Sequence, residues 1–576
     1  PLMRGFSLAV LLVLTITGCS GIPSSGPVHR VQASQSTVTT QLPNFAPPGP
    51  QPGADPESLA KGFLRSLTAV PFTTSVARKF MTNDAASSWK PDGGTIVYSA
   101  VRVTPTSSGV KLQLTVSQRL DGYGAWQPVL HPEQQITLDL TREAGQWRIS
   151  NPLNQLLVPE PYFIDGFQRL GLYFFDQTGR ALVSVPVFLI RGEQLASELV
   201  RSLFAGPGDD VAEILHTEFP PATQVDDFSV VVSSRGVAQV PVSPDVLDLT
   251  GEQLNRAMAQ LSWTLRQIDG VSSVSLLLDG APLSAAGQEN AIPVNDVEEY
   301  NALAGGSEIW ALEDDRVVVI AEGKARAVVG PLGKQSQPWR SVAANERTHT
   351  AAVVTADGQK LLLASTEKNQ PGQPQPFLTG EDLLSPTFDA LGNLWVVDRN
   401  RGRARVWLIT NQGSRRVSIP GVSGSPVRAV SVSGEGARLA FLFDSDPTRI
   451  ALVNLLRKPT GDFLGVGRMR VFHLPAPPGD SGQITQLGWR NSDTLVTMTV
   501  DRGVTRINYL GSDGSPADSG LITTMPLFRA GRWLAVSPDS ALPIAIGDRD
   551  GQVSMLGIGG DWQVGASHLV APTYSR

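Results

Sequence analysis

The chain has 576 residues, 47 Lys and Arg against 53 Asp and Glu, a formal net charge of −6 and one cysteine. That acidic balance argues against a nucleic-acid role, which needs a concentrated basic face, and a lone thiol excludes intrachain disulfides. The length suggests three or four domains at about 150 residues each, standing on hydrophobic cores alone.

Met3 and Arg4 precede an apolar run from Phe6 to Ile16. It is too short to span a bilayer and fits the apolar part of a secretory signal over residues 1–18. Ile16-Thr17-Gly18-Cys19 then resembles a bacterial lipobox, in which the signal is cut before the cysteine and the thiol takes a diacylglycerol. The alternative is an ordinary signal, or a short anchor helix, with a chance cysteine. Acylation of Cys19 implies a protein held by its lipid on the extracytoplasmic face of the cell membrane. No later run approaches the ~18 apolar residues of a second span. Residues 19–56 are rich in Ser, Thr and Pro, with Pro43, Pro47, Pro48, Pro50 and Pro52 close together. Such sequence buries too little apolar area to order itself and reads as a flexible tether.

Residues 57–161 read as an α+β domain. Ala60, Phe63, Leu64 and Leu67 share one helical face, with Pro56 at the helix start. Alternating strands follow around Leu112–Val116, Ile136–Leu140 and Trp147–Ile149, with turns at Asp121-Gly122 and Glu143-Ala144-Gly145. Helices first and a curved sheet afterwards resemble the cone-shaped nuclear-transport-factor (NTF2-like) folds. Residues 162–290 give the order β-β-α-β-β-α-β, an α/β sandwich. Its first helix carries Leu195, Leu199 and Leu203 and stops at Gly206-Pro207; its second carries Leu254, Ala257, Met258, Leu261 and Leu265 and stops at Gly270. The strand Tyr173–Asp176, the Ala205-Gly206-Pro207 stop, Phe219-Pro220-Pro221-Ala222-Thr223 and the turn Asp279-Gly280-Ala281-Pro282 resemble a GerMN domain, which implies a non-enzymatic interaction module.

Residues 301–576 change to all-β. Asp389, Gly434, Asn491 and Asp539 mark equivalent turns of a unit of about 40–50 residues with several short strands, a propeller blade. Five such units follow a shorter opening one, Ile309–Val329, and predict about six blades; a sandwich or solenoid is the rival. The longest step contains Lys458–Arg468, a glycine-rich insertion carrying Phe463 and Leu464 with no strand alternation to bury them. Either that pair folds back on its own blade or it forms a partner-binding tip.

The chemistry is sparse. There is no His-Glu-x-x-His, phosphate-binding glycine loop or Gly-x-Ser-x-Gly, and the six histidines never stand at ligand spacing. Ser365-Thr366-Glu367-Lys368 matches Ser-x-x-Lys but follows a strand, where a helix is needed. Asp548-Arg549-Asp550-Gly551 lacks the first acidic ligand of a calcium loop, and Glu313-Asp314-Asp315 reads as a solvated turn. No catalytic, cofactor or metal site is expected, so the chain is read as no enzyme.

The lipobox, the helix-plus-sheet domain, the GerMN domain and the C-terminal propeller, in this order, resemble the actinobacterial LpqB lipoprotein family. The resemblance implies an accessory lipoprotein that binds the extracytoplasmic domain of an MtrB-like sensor kinase. It would thereby act on the MtrA–MtrB two-component system in cell-wall homeostasis and division. The alternative class is a lipoprotein that binds cell-wall carbohydrate or peptide.

Overall fold

The first helix, Pro56–Ser66, starts where its cap dictates: the Asp55 carboxylate accepts from the Ser58 N–H at 2.9 Å, Pro56 needs no donor there, and Leu59, Ala60, Phe63 and Leu64 turn inward. The computed structural model describes residues 44–576 except 222, 225–227, 284–290, 302–305, 322, 370, 475–482, 518–525 and 558–559. Cys19 and the tether through residue 43 therefore lie outside the described residues.

The first helix packs on a sheet whose strands run Gln146–Ile149, Glu133–Glu143, Gly109–Leu120, Thr95–Pro105 and Leu156–Pro159 side by side. The last pair is parallel and the others antiparallel. Ile136, Leu138 and Leu140 alternate inward along their strand while their neighbours face solvent. The hairpin turn holds Ala144 and Gly145 at φ 49° and 78°, the left-handed pair that a two-residue connection between twisted strands favours.

The second domain is a sandwich of two sheets. One joins Leu182–Ile190, Phe167–Asp176 and the short Leu215–His216; the other joins Val231–Val232, Val237–Val242, Ser273–Leu278 and Ala281–Leu283, with Ile292–Pro293 alongside. The helix Leu195–Phe204 ends with Gly206 at φ 83°, and the helix Gly251–Leu265 starts with a reciprocal Thr250–Gln253 capping box. The second helix packs on Phe167–Asp176 and on Ser273–Leu278, sharing one core with the first.

Six blades follow in the described residues. The innermost strands of successive blades, Val570–Tyr574, Trp339–Asn345, Thr387–Phe388, Val427–Val432, Gln483–Trp489 and Gly531–Ala535, touch in a closed ring. The opening unit is short because its innermost strand is borrowed: Val570–Tyr574 pairs antiparallel with Ile309–Glu313. Joining the last strand to the first blade in this way leaves no open edge between the ends of the ring.

The insertion expected at Lys458–Arg468 is corrected by the structure. Residues 463–473 are the fourth strand of blade 4, eleven residues long, paired with the nine-residue strand Arg449–Arg457. Only the turn Lys458–Asp462 projects, closed by Lys458 N–H donating to Asp462 O at 2.9 Å. Two register shifts interrupt the pairing. Phe463, Val466 and Met469 all reach the same core, a spacing of three that hides the strand from a search for period two.

Residues 44–576 form one compact unit, and the first two domains meet through an apolar seam. Phe188 packs 5.4 Å from Trp126 and 5.6 Å from Phe163, and Phe163 packs 4.8 Å from Phe167, measured between ring centres. Phe188 N–H donates to Gly124 O at 2.8 Å, so a strand of the second domain also pairs with a turn of the first.

Candidate interaction surface

The sandwich is fastened to the propeller by polar groups. Arg169 meets Asp493 at 3.1 Å between blade 5 and the sandwich. Asp493 also accepts from the Ser184 hydroxyl and, at 2.7 Å, from Thr494, while Ser184 N–H donates to Ser492 Oγ at 2.9 Å. Burial opposes ionisation of Asp493, but Arg169 and these hydroxyls outweigh it and hold the carboxyl below its usual range.

Blade 4 supplies a second clamp. Asn454 Nδ2 donates to Asp210 O at 2.9 Å and to Glu213 Oε1 at 2.8 Å; Arg470 pairs with Asp210 at 3.1 Å; Arg457 N–H donates to Gln177 Oε1 at 2.6 Å. The Arg468 N–H also reaches Glu213. A methyl group at Gly467 would collide with the Glu213 carboxylate. This glycine marks a close approach between domains, not a free loop.

The clamps place the hairpin tip Asp176–Ala181 beside the propeller. Asp176 shapes that tip by accepting from Thr178 Oγ1 at 2.7 Å and from the N–H groups of Arg180 and Ala181 at 3.1 and 3.2 Å. Next to it runs an open groove of about 1040 Å³ across blades 2 to 4. Arg180, Arg347, Arg415 and Lys458 line it and are exposed, against one carboxylate, Asp462, among the described lining residues. On a chain of net charge −6, this is a local reversal of sign.

Both residues singled out in the sequence, Phe463 and Leu464, lie on the groove's edge, but they differ. Phe463 packs edge-on against Trp395 at 5.3 Å, with the Arg415 guanidinium 4.7 Å above its ring and Arg415 Nη2 donating to its carbonyl at 2.8 Å. Leu464 is 58% exposed. Nothing in the sequence gathers these four cations, because 180, 347, 415 and 458 share no spacing.

The other motifs resolve into turns. Asp548 Oδ1 accepts from the N–H groups of Asp550 and Gln552, both at 2.9 Å, and its second oxygen pairs with Arg529 at 2.9 Å. Asp314 and Asp315 take left-handed φ values of 47° and 61° in a hairpin turn. Ser365 closes a strand rather than a helix turn. Among the described residues, no three His, Cys, Asp or Glu side chains gather into a metal-binding group.

Comparison with known proteins covers all three domains. Residues 49–164 match the family described as Lipoprotein LpqB, N-terminal domain; residues 171–284 match Germane, described as sporulation and spore germination; residues 315–531 match the Lipoprotein LpqB beta-propeller domain. A protein of Streptomyces coelicolor named Lipoprotein LpqB is 27% identical over 617 residues, covering 99% of this chain and 97% of its own. Proteins of the same name from Cutibacterium acnes and Mycobacterium bovis are 25% and 26% identical, covering 88% and 90% of both chains.

Proposed function

From the premise that the chain belongs to the LpqB lipoprotein family, we propose that it is a non-enzymatic accessory protein of a two-component sensor kinase. Acylated Cys19 holds it on the extracytoplasmic face of the membrane, and its rigid sandwich-and-propeller platform binds the external domain of an MtrB-like kinase. In this reading it acts on an MtrA–MtrB type system in cell-wall homeostasis and division.

The observation that carries the reading is the groove. It is wide and open, and it sets four exposed cations beside an exposed leucine and a half-buried phenylalanine. Rim charges of one sign steer a partner of opposite sign and raise its on-rate, and a small apolar anchor holds it once docked. The partner surface is therefore acidic around an apolar pocket. Binding of an MtrB-type external domain to the purified chain should weaken at least tenfold in Arg347→Glu/Lys458→Glu and should fall as salt rises. Equal binding by the charge-reversed variant, or no capture by the wild type at low salt, overturns the proposal. Anchoring has its own test: stable attachment needs two or more acyl chains, and acyl labelling that persists in Cys19→Ser would sink it.

A further inference from the structure

A second cavity, of about 520 Å³, lies where the N-terminal domain meets the sandwich, and it shares no lining residue with the groove. The first domain lines it with Pro71-Phe72, with the stretch from Pro91 to Thr95 and with the turn that follows Leu120. The sandwich lines it with the end of the strand Leu182–Ile190, the loop from Arg191 to Gln194, and Glu198. Phe167 and Phe188 of the aromatic seam line it too. The two domains touch there at the backbone: a Cβ at Gly124 would stand 2.6 Å from the Phe188 carbonyl oxygen. The cleft is therefore held in shape by the seam that joins the domains.

Its accessible lining is of two kinds. Pro71 is exposed, and Phe72, Pro91 and Ile190 are half-buried, so apolar surface can be reached from solvent. The charged lining is acidic, four carboxylates against Arg191. Two of the four are already engaged. Asp121 accepts from the N–H groups of Tyr123 and Ala125, both at 2.9 Å, and from Gln127 Nε2 at 3.0 Å. Glu198 takes Arg201 Nη1 at 2.6 Å on each oxygen. Asp92 and Glu193, one from each domain, are exposed, and neither carboxylate has a hydrogen bond or ion pair among the described residues. Arg191 does not answer them, because its Nη1 donates to Gln168 Oε1 at 3.3 Å.

We propose that this cleft binds a small molecule that joins an apolar body to a cationic head, the body against Phe72 and Ile190 and the head beside Asp92 and Glu193. Small-molecule sites favour such places: a preformed cavity of this size between domains, apolar over much of its wall, with a few polar groups that fix orientation. Removing the apolar body from water supplies affinity. The two carboxylates supply the choice of charge. An ammonium brings donors to groups that can only accept, whereas an anion would add a like charge to an acidic rim. The cleft thus selects the sign opposite to the one the cationic groove selects. The inference does not depend on the kinase reading.

Isothermal titration of the full chain with 4-phenylbutylammonium, 4-phenylbutanol and 4-phenylbutyrate tests it, since the three share one body and differ in the head. The ammonium should bind at least tenfold more tightly than the butyrate and several-fold more tightly than the alcohol. Added salt should weaken the ammonium and leave the alcohol unchanged. The double variant Asp92→Asn/Glu193→Gln, at two exposed positions, should bring the ammonium down to the affinity of the alcohol. Should that variant fail to fold, the salt series on the wild type decides: an equal response of ammonium and alcohol overturns the proposal. It is also overturned if none of the three binds, if the butyrate or the alcohol binds as tightly as the ammonium, or if the folded double variant keeps the preference for the ammonium.

Discussion

The central sandwich meets its two neighbours in opposite ways. Toward the N-terminal domain it presents Phe167 and Phe188 to Trp126 and Phe163, an aromatic seam continuous with that domain's core. Toward the propeller it presents Arg169, Ser184, Asp210 and Glu213 to Asp493, Asn454 and Arg470. The apolar seam gains chiefly from buried area, with the Phe188–Gly124 backbone hydrogen bond beside it, and tolerates small shifts. The polar seam gains only while each buried group keeps its partner, and so it fixes orientation. That orientation sets the hairpin tip and Arg180 beside the groove.

The largest expected effect comes from emptying the aromatic seam. Phe188 is 4% exposed and touches both domains, so Phe188→Ala should destabilise by about 3–5 kcal/mol. Denaturant unfolding reads this, and a change below ~1 kcal/mol would show that the seam relaxes around the loss.

Slightly smaller, and different in kind, is the polar seam. Asp493→Ala removes the buried carboxylate from the half-buried Arg169 and leaves Ser184 without its acceptor, at a cost of about 3 kcal/mol. The sign with pH follows from the depressed carboxyl. The stabilisation from ionised Asp493 is fully present above the ordinary value of 3.8 and is lost as pH falls through the lower folded value. Wild-type stability should therefore drop on acidification below about pH 4, with a shallower drop in Asp493→Asn. Parallel pH profiles for the two proteins would contradict the assignment.

The smallest effect lies on the groove's edge, where two neighbours behave differently. Leu464→Ser should change stability by no more than about 0.5 kcal/mol yet weaken capture of the kinase domain. Phe463→Ser loses its packing on Trp395 and should cost about 1–2 kcal/mol besides. Unchanged capture by Leu464→Ser would remove that side chain from the docking surface.

Much of the local architecture was legible in the residues. Pro56, Gly206 and the Glu143-Ala144-Gly145 turn all work through hydrogen bonds or backbone angles a few residues away, so their sequence carries the information. The blade repeat was readable for the same reason: each turn is closed locally, as when Asp389 Oδ1 accepts from the N–H groups of Leu391 and Asn393 at 3.0 and 2.9 Å. The strand at Phe463–His473 was not, because its register shifts destroy the alternation by which strands are recognised.

By itself, then, the sequence determined the signals that act over one turn of chain: caps, stops, hairpin turns, the alternating faces of strands, and through them the order of domains. The tertiary structure alone decided what depends on pairing across long separations. Val570–Tyr574 completes the blade begun at Ile309, Glu213 settles on Gly467, and Arg180, Arg347, Arg415 and Lys458 come to share one groove. No residue type announces these contacts, because a charged side chain reads as solvated until the fold closes over it.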